Sequence, residues 1–231
     1  MVEKQVLGKY EEVRDGVPLK YRIETATPEI ADEIVEHMIK YFLAREPLTA
    51  YDGLRKEEDS LKSFIGLWKD AINAGAALVA IEDRDDDKLN IVGANITLVY
   101  EKDKKEEDKT FEGKAFNKCL KAVDIITKRG NLYERYGVDK YLSAFGLSVH
   151  PDYHGYKIGY RLLQCREPLC KALGLKATGT VFSSAAAQHL AAKAGFEILA
   201  EEGYDTYEVD GEVGYAGMAG KLTHMGRMYN F

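Results

Sequence analysis

The segment LSVHPDYHGYKIGYRLL, residues 147–163, constrains the fold more than any other part of the chain. It places a strand, a tight turn that contains Gly155 and the first turn of a helix in immediate succession. Such a corner points several free backbone N–H groups, and the positive end of a helix dipole, at one place. A phosphate group binds readily there. The alternative is an ordinary strand-to-helix turn, which a single glycine does not distinguish from a phosphate site.

Strand and helix patterns alternate along the rest of the chain. Apolar residues recur at helical spacing over 28–44 and 55–73, whereas 77–82 and 90–100 are short apolar runs joined by a polar turn. The alternation predicts an α/β fold with a mixed sheet flanked by helices. Without an internal repeat or a linker, we expect one domain over residues 1–231. The other predicted elements are a first strand at 17–24, helices at 116–128, 158–173 and 184–194, and strands at 140–149, at 175–182 and after Phe196.

Two prolines and one charge run modify this pattern. Pro47 ends the first helix near residue 45, because a proline biases the preceding residue away from helical geometry. Pro168 lies inside the helix predicted at 158–173, where it removes one hydrogen bond at a cost of about 3 kcal/mol, so we expect a kink. The charge run at 101–115 favours a solvated loop over an interaction tail.

The composition argues against several functions. The net charge of −6 does not favour a nucleic-acid partner. Three cysteines without CxxC spacing are typical of a reduced, intracellular protein. No apolar run approaches the roughly 20 residues of a membrane span, and the first residues lack a signal-peptide pattern. The histidines do not cluster at metal-ligand spacing. We therefore expect a cytoplasmic monomer that binds no metal, nucleic acid or membrane.

Residues 147–163 resemble the pyrophosphate loop of the GNAT acyl-CoA N-acyltransferases, in which Arg/Gln-x-x-Gly-x-Gly/Ala follows a strand that ends in Val-x-Pro. The phasing puts His154 at the Arg/Gln position, Lys157 at the first glycine and Gly159 at the last small residue, so two of the three positions depart from the pattern. The surrounding frame agrees well. The resemblance implies that the following residues bind acetyl-CoA: Leu147, Ser148, Val149, His154, Gly155, Tyr156, Lys157, Ile158 and Gly159.

Lys157 is the departure with the clearest physical consequence. If its position requires a positive φ, a lysine there costs about 1 kcal/mol of strain. A lysine also places a cation beside the expected diphosphate, which would offset that strain.

A second segment, TVFSSAAAQHLAAKAGFEIL at 180–199, resembles the GNAT segment that flanks the pantetheine arm. Ser183 or Ser184 most simply caps its helix. The resemblance places Ser184 at the cofactor and makes Ser183 a candidate catalytic hydroxyl. Many GNAT enzymes carry a tyrosine general acid on this helix, but its position here is Ala191, so we predict no tyrosine acid.

A third segment, YFLAREPLTAYDG at 41–53, resembles the Phe-Phe-x-x-Glu-Pro-Leu segment of insect arylalkylamine N-acetyltransferases. In that group the glutamate is the general base, so the resemblance gives this role to Glu46. A primary amine arrives as an ammonium with a pKa of about 10 and must lose a proton before it attacks a thioester. The bland alternative is an exposed glutamate at a helix end. Candidate walls for the amine are Tyr41, Phe42, Tyr51 and Tyr141, each of which is more often plain core.

Together these resemblances imply a GNAT fold, with a central splayed mixed sheet, helices on both faces and acyl-CoA between the strands near 145–149 and 178–183. They imply direct acetyl transfer from acetyl-CoA to a small amine such as dopamine, serotonin, octopamine or tyramine. Three alternatives stay open: a polyamine or agmatine acetyltransferase, a non-catalytic acyl-CoA-binding relic, and an enzyme that acetylates protein lysines or N-termini. Lys157, Ala187 and Ala191 motivate the relic.

Overall fold

A mixed sheet organises the chain, which a computed structural model describes over residues 4–86, 88–102 and 111–231. Within these residues eight strands lie in the order β1-β2-β3-β4-β5-β6-β10-β7, and β8 pairs with β9 apart from them. Every neighbouring pair is antiparallel except β5 and β6, which are parallel. The strands are β1 (Val6–Arg14), β2 (Val17–Thr25), β3 (Leu78–Glu82), β4 (Ile91–Glu101), β5 (Lys140–Val149), β6 (Ala177–Phe182), β7 (Glu197–Gly203), β8 (Glu208–Val209), β9 (Glu212–Val213) and β10 (Lys221–Met228).

The helices cover both faces of this sheet. They are α1 (Ala31–His37), α2 (Pro47–Tyr51), α3 (Glu58–Asn73), α4 (Lys114–Gly130), α5 (Leu132–Tyr136), α6 (Ile158–Gln164), α7 (Arg166–Ala172) and α8 (Ala185–Lys193). α1, α3 and α4 pack against β4, β6, β7 and β10, while α6, α7 and α8 pack against the sheet from the other side. The α/β fold with a mixed sheet, expected from the alternation, is confirmed. None of the described helices is long and apolar enough to cross a bilayer.

Strand β3 shows why the apolar runs in the sequence become central strands. Successive side chains of a strand point to opposite faces. Accordingly Leu78 and Ala80 belong to the core under α6 and α7, whereas Val79 and Ile81 belong to the core under α1, α3 and α4. Because both faces are covered, the run is apolar at every position.

A gap between β5 and β6 positions the site. The two strands pair at a single described position, Leu142 opposite Thr178, and no further partners follow toward their carboxyl ends. On its other side β5 has an irregularity in register against β4 between Asn95 and Thr97, where Phe145 and Gly146 form a bulge. The splayed sheet predicted between 145–149 and 178–183 is present.

The helix predicted at 158–173 is broken at Cys165 into α6 and α7. Pro168 is the third residue of α7, where its missing N–H is not needed inside the helix. The interruption expected at Pro168 is present, although Cys165 keeps a helical backbone with φ −67 and ψ −9.

Sequence reasoning missed β1, the edge strand that precedes the first predicted strand. Val6 and Val13 are 44% and 64% exposed, so β1 lacks the buried alternating pattern that identifies a strand. Within the predicted loop at 101–115, Glu101 ends β4, and Lys114 and Ala115 begin α4. The prediction for residues 103–110 lies outside the described residues.

Candidate active site

A cavity of about 110 Å³ lies at the gap between β5 and β6. It reaches through the sheet, because its lining includes Phe64 and Cys119 from one covering layer and Arg166 from the other. The strands supply Ala144, Phe145, Gly146, Leu147, Thr180, Val181, Phe182, Asn95 and Leu222, and the rest of the lining consists of Phe42, Glu46, Leu48, Val123, Ser183, Ser184 and Ala187. The three segments singled out in the sequence thus meet at one cavity.

Glu46 is half-buried and lines this cavity. Its backbone is extended, and its carboxylate caps α2: Oε1 accepts a hydrogen bond from the Leu48 N–H at 3.1 Å and Oε2 from the Thr49 N–H at 2.7 Å. Pro47 fits the first helical position because that position needs no N–H donor. Glu46 therefore stands at a helix end, as the alternative reading supposed, and it also lines the cavity.

The bulge in β5 fixes the backbone beside Glu46. Gly146 has φ +129, a backbone conformation that favours glycine because a side chain there would be strained. The Phe145 carbonyl accepts a hydrogen bond from the Trp68 Nε1 at 2.8 Å, and the Gly146 carbonyl accepts one from the Asn95 Nδ2 at 2.8 Å. The edge of β5 that faces the gap is consequently rigid, which suits a site that must position a reacting carbonyl.

The three strand residues predicted to bind the cofactor have different environments. Leu147 lines the cavity. Ser148 is buried, and its hydroxyl has no hydrogen-bond partner within the described residues. The Val149 carbonyl lies 3.3 Å from the Nε2 of His154. The contact of these three residues with a cofactor stays a prediction.

The predicted pyrophosphate loop connects β5 to α6. A short turn at Pro151–Tyr153 leads through exposed His154 and Gly155 to buried Tyr156, and α6 begins after Lys157. Gly155 has φ +92, and a Cβ there would lie 2.8 Å from the Arg14 Cδ. Ile158 is buried beneath the loop, and Gly159 brings α6 close to Leu190 of α8. The strand, turn and helix order predicted for this segment is confirmed.

The Lys157 backbone is left-handed, with φ +57, as its position in the pattern suggested. Its ammonium does not extend freely into the loop, however. Its Nζ lies 2.6 Å from Glu12 Oε2 of β1, and Arg161 donates to the Glu12 Oε1 at 2.8 and 3.2 Å. Burial raises the pKa of the Glu12 carboxyl, but the hydrogen bonds from these two cations outweigh burial and lower it overall. The cation expected beside the diphosphate is thus neutralised by a residue that sequence reasoning missed.

Arg14 of β1 also holds the loop. Its Nη1 donates to the Asp152 carbonyl at 2.9 Å and to the His154 carbonyl at 2.5 Å, and its guanidinium lies 4.7 Å from the Tyr156 ring centre. We call Glu12 and Arg14 the β1 strap, since both tie β1 to the loop. No sequence motif signals these contacts, which join residues more than 130 positions apart.

The serine segment lies on the opposite side of the gap. Ser184 caps α8, its Oγ accepting from the Ala187 N–H at 3.3 Å, so the predicted cap is confirmed. The Ser183 carbonyl accepts a hydrogen bond from the Tyr204 hydroxyl at 2.6 Å. Both serines line the cavity, and Ala191 is fully buried in the helix interface.

Of the four aromatic residues predicted as walls, Phe42 lines the cavity. Tyr141 is buried against Tyr100 and Tyr133 on another part of the sheet, and Tyr51 is 44% exposed. Tyr41 packs between two histidines. The aromatic lining consists instead of Phe42, Phe64, Phe145 and Phe182.

Arg166 is a charged residue of the cavity lining that the sequence analysis did not single out. It is fully buried, yet it lies in a helix segment, REPLCKA, whose charged residues suggest an exposed face. Within the described residues, no group of three or more His, Cys, Asp or Glu side chains could hold a metal ion.

Comparison with solved structures gives this geometry a context. The chain matches a presumed arylalkylamine N-acetyltransferase 7 of the yellow fever mosquito with a TM-score of 0.90 and 27% identity, over 98% of this chain and 96% of that one. It matches arylalkylamine N-acetyltransferase 2 of Aedes aegypti with a TM-score of 0.76 and 21% identity, over 91% and 99%. A Drosophila melanogaster polyamine N-acetyltransferase that forms N-acetylagmatine matches with a TM-score of 0.76 and 17% identity, over 90% and 99%. No protein-family model and no curated protein sequence matches the chain.

The chain therefore has the fold of the GNAT acetyltransferases. Within that fold its resemblance is to the insect arylalkylamine N-acetyltransferases, as residues 41–53 predicted.

Proposed function

We propose that the chain transfers an acetyl group from acetyl-CoA to a small primary arylalkylamine. The observation that carries this proposal is that Glu46, the Gly146 bulge and Ser183 border one cavity at the gap in the sheet. A carboxylate, a rigid backbone edge and a helix cap from three distant segments meet there. The carboxylate can accept a proton from the amine, the backbone edge can bind the thioester carbonyl, and the helix start can lie beside the pantetheine arm.

Acetyl-CoA would enter through the loop between β5 and α6. Its diphosphate would accept hydrogen bonds from backbone N–H groups between His154 and Gly159 at the start of α6. The pantetheine arm would lie in the gap, where β5 and β6 lack strand partners for each other beyond Leu142 and Thr178. Since Glu12 of the β1 strap pairs with Lys157, main-chain donors supply most of the hydrogen bonds to the diphosphate.

The reaction would proceed within a ternary complex. Glu46 accepts a proton from the ammonium, directly or through one water, and the free amine then attacks the thioester carbon. The N–C bond forms, and a backbone N–H of Leu147 or Val149 stabilises the oxyanion. Collapse breaks the C–S bond, and the amine nitrogen loses a second proton as the CoA thiolate gains one. Ser183 is a candidate donor, although a thiol with a pKa near 8.5 leaves without much help.

The charges at the cavity favour an arylalkylamine over a diamine. Among its described lining residues Glu46 is the only carboxylate, and four phenylalanines contribute to the wall. A polyamine or agmatine would place a second cation in the cavity, and Arg166 would repel it. The likeness to arylalkylamine N-acetyltransferases supports the same choice. The polyamine enzyme remains the second candidate, because its structure has the same fold.

Thiol-release kinetics with acetyl-CoA would test this proposal. The panel should contain dopamine, serotonin, octopamine, tyramine, agmatine, spermidine and a lysine-containing peptide, assayed with wild type, Glu46→Ala and the control Glu58→Ala. Glu58 pairs with Lys62 on the surface and does not border the cavity. We expect turnover of the arylalkylamines, lost only in Glu46→Ala. Calorimetric CoA binding without turnover of any amine would instead support the non-catalytic relic.

A further inference from the structure

Arg166 is a buried cation with an unused hydrogen-bond donor. Its side chain is 0% exposed, and it lines the cavity at the gap. Its Nε donates to the Asn95 Oδ1 at 2.9 Å, and its Nη1 donates to the Thr178 Oγ1 at 3.3 Å. Within the described residues its Nη2 has no hydrogen-bond partner. Both hydrogen-bond partners are neutral, and the guanidinium also lies 5.7 Å from the centre of the Phe196 ring, so within the described residues no carboxylate compensates the positive charge.

The position of Arg166 in the cleft indicates what this charge could contact. Thr178 is opposite Leu142, the position at which β5 and β6 still pair. Asn95 holds the Gly146 carbonyl in the bulge. Arg166 therefore lies between the closed end of the gap and the bulge, against the side chain that holds the Gly146 carbonyl. An acyl group attached to a thioester at the bulge would point its far end toward this closed end.

The free energy of burial favours an anionic ligand there. Burial lowers the pKa of Arg166 to about 10, so the guanidinium remains charged at neutral pH. A buried charge whose partners are all neutral is costly, because no opposite charge offsets its desolvation. Arg161 illustrates the contrast, since Glu12 accepts two of its hydrogen bonds. The methyl of an acetyl group would leave Arg166 uncompensated, whereas a carboxylate would accept a charge-assisted hydrogen bond.

We propose that Arg166 forms the floor of an acyl pocket that binds the terminal carboxylate of a short dicarboxylic acyl group, such as a malonyl or succinyl thioester. The inference rests on the proposed function for the site and for the transfer to an amine, and it adds a longer acyl group than acetyl as the preferred donor. The transfer itself is unchanged: the amine nitrogen bonds to the thioester carbon, the C–S bond breaks, and the distal carboxylate keeps its charge throughout.

The wild-type enzyme provides the first test. Succinyl-CoA and butyryl-CoA carry acyl chains of similar length that differ in the terminal charge. We expect kcat/KM for succinyl-CoA to exceed that for butyryl-CoA by about tenfold or more, the effect of one hydrogen bond to a charged group. Equal values, or a preference for butyryl-CoA, would overturn the inference. That result is expected if a water molecule satisfies both the Arg166 Nη2 and the Tyr229 hydroxyl, which also lacks a partner within the described residues.

Substitutions at Arg166 provide the second test. Arg166→Gln should abolish or reverse the preference for succinyl-CoA, and Arg166→Lys should retain part of it. The control Arg129→Gln, on an exposed arginine far along α4, should not change the ratio. If Arg166→Gln does not fold, the wild-type comparison still decides. Turnover of acetyl-CoA without a carboxylate preference would refute only this inference, whereas no turnover of any thioester would refute the proposed function as well.

Discussion

The two ends of the cleft between β5 and β6 both carry basic side chains, but among the described residues only those at one end pair with a carboxylate. At the loop, Lys157 and Arg161 share the Glu12 carboxylate of the β1 strap. At the closed end, the recorded partners of Arg166 are an amide and a hydroxyl. The loop is exposed to water, where an ion pair contributes little to stability, whereas the interior leaves an unpaired charge costly. The difference suggests that the loop binds CoA mainly through its backbone. The interior, in contrast, uses the charge of Arg166 to bind the acyl group.

A buried histidine in the interior also lacks hydrogen-bond partners, which sharpens this contrast. His224 of β10 is 1% exposed, and neither ring nitrogen has a partner within the described residues. A Cβ added to Gly130 would lie 2.2 Å from the His224 Nδ1, so there is little space around the His224 ring. Variants at Glu46, His224, Glu12 and Lys157 test whether the two regions differ in this way, in order of decreasing expected effect.

Glu46→Gln separates the proton-accepting role of Glu46 from its role as a helix cap. The amide oxygen of glutamine can still accept a hydrogen bond from the Leu48 or Thr49 N–H, but it cannot take a proton from an ammonium. We expect kcat/KM for the amine to fall by about 10²–10⁴, with the melting temperature and the CoA affinity nearly unchanged. Thiol-release kinetics and thermal melts measure both. Glu46→Ala should in addition lose about 1 kcal/mol of stability with the cap. An unaltered rate in Glu46→Gln would remove Glu46 from the mechanism.

His224→Leu should make stability less dependent on pH. Burial lowers the pKa of His224 to about 4 from the ordinary value of 6.5. Between those values the unfolded chain binds a proton that the folded chain does not, so the free energy of unfolding falls as the pH decreases through this window. The loss reaches about 3 kcal/mol near pH 4.

Melting temperatures of wild type and His224→Leu between pH 7.5 and 4.5 test this expectation. About half of the histidine-linked loss should remain in the variant, because burial also lowers the pKa of His37 to about 4. Identical profiles for the two proteins would show that the pKa of His224 is not lowered by folding, because a hydrogen-bond partner stabilises its protonated ring.

Glu12→Gln tests whether the β1 strap masks positive charge at the loop. Without the carboxylate, Lys157 and Arg161 would attract the CoA phosphates. We expect KM for acetyl-CoA to fall about two- to threefold at low ionic strength, and the difference to disappear in about 1 M salt, where the Debye length is about 3 Å. The value of kcat should not change. A rise in KM would show instead that Glu12 orders the loop for binding.

Lys157→Gly has the smallest expected effect. Glycine accepts φ +57 without the strain of about 1 kcal/mol that a lysine bears. Because the ammonium is directed to Glu12, KM for acetyl-CoA should change by less than about twofold. Lys157→Ala is the matched control, since it removes the ammonium but keeps the strained backbone, and it should melt at a lower temperature than Lys157→Gly. A large rise in KM in both variants would mean that the lysine contacts the cofactor.

The sequence predicted those parts of the fold whose signals are local. The helical spacing of α3, the continuous apolar run of β3 and the strand, turn and helix at 147–163 each depend on neighbouring residues. The position of Glu46 beside the cavity followed from the resemblance of a single short segment. Pro168 predicted the break between α6 and α7, because its effect on the backbone does not depend on tertiary context.

Contacts between distant segments could not be predicted. The pair of Glu12 and Lys157 joins residues 145 positions apart, and β1 itself is an exposed edge strand without apolar alternation. Nothing in the sequence signals the burial of Arg166, which lies in a segment with other charged residues. Three of the four candidate walls were tyrosines, but Tyr141 is buried in the core and phenylalanines line the cavity. Each of these features depends on which helices and strands pack together. Neighbouring residues in a single sequence do not show that.

A crystal structure of the chain with coenzyme A tests the central claim most directly. We expect the diphosphate against the backbone of residues 154–159, the pantetheine arm between β5 and β6, and the sulfur inside the cavity that Glu46 and Gly146 border. Coenzyme A bound elsewhere, or absent from the gap at a saturating concentration, would contradict the account.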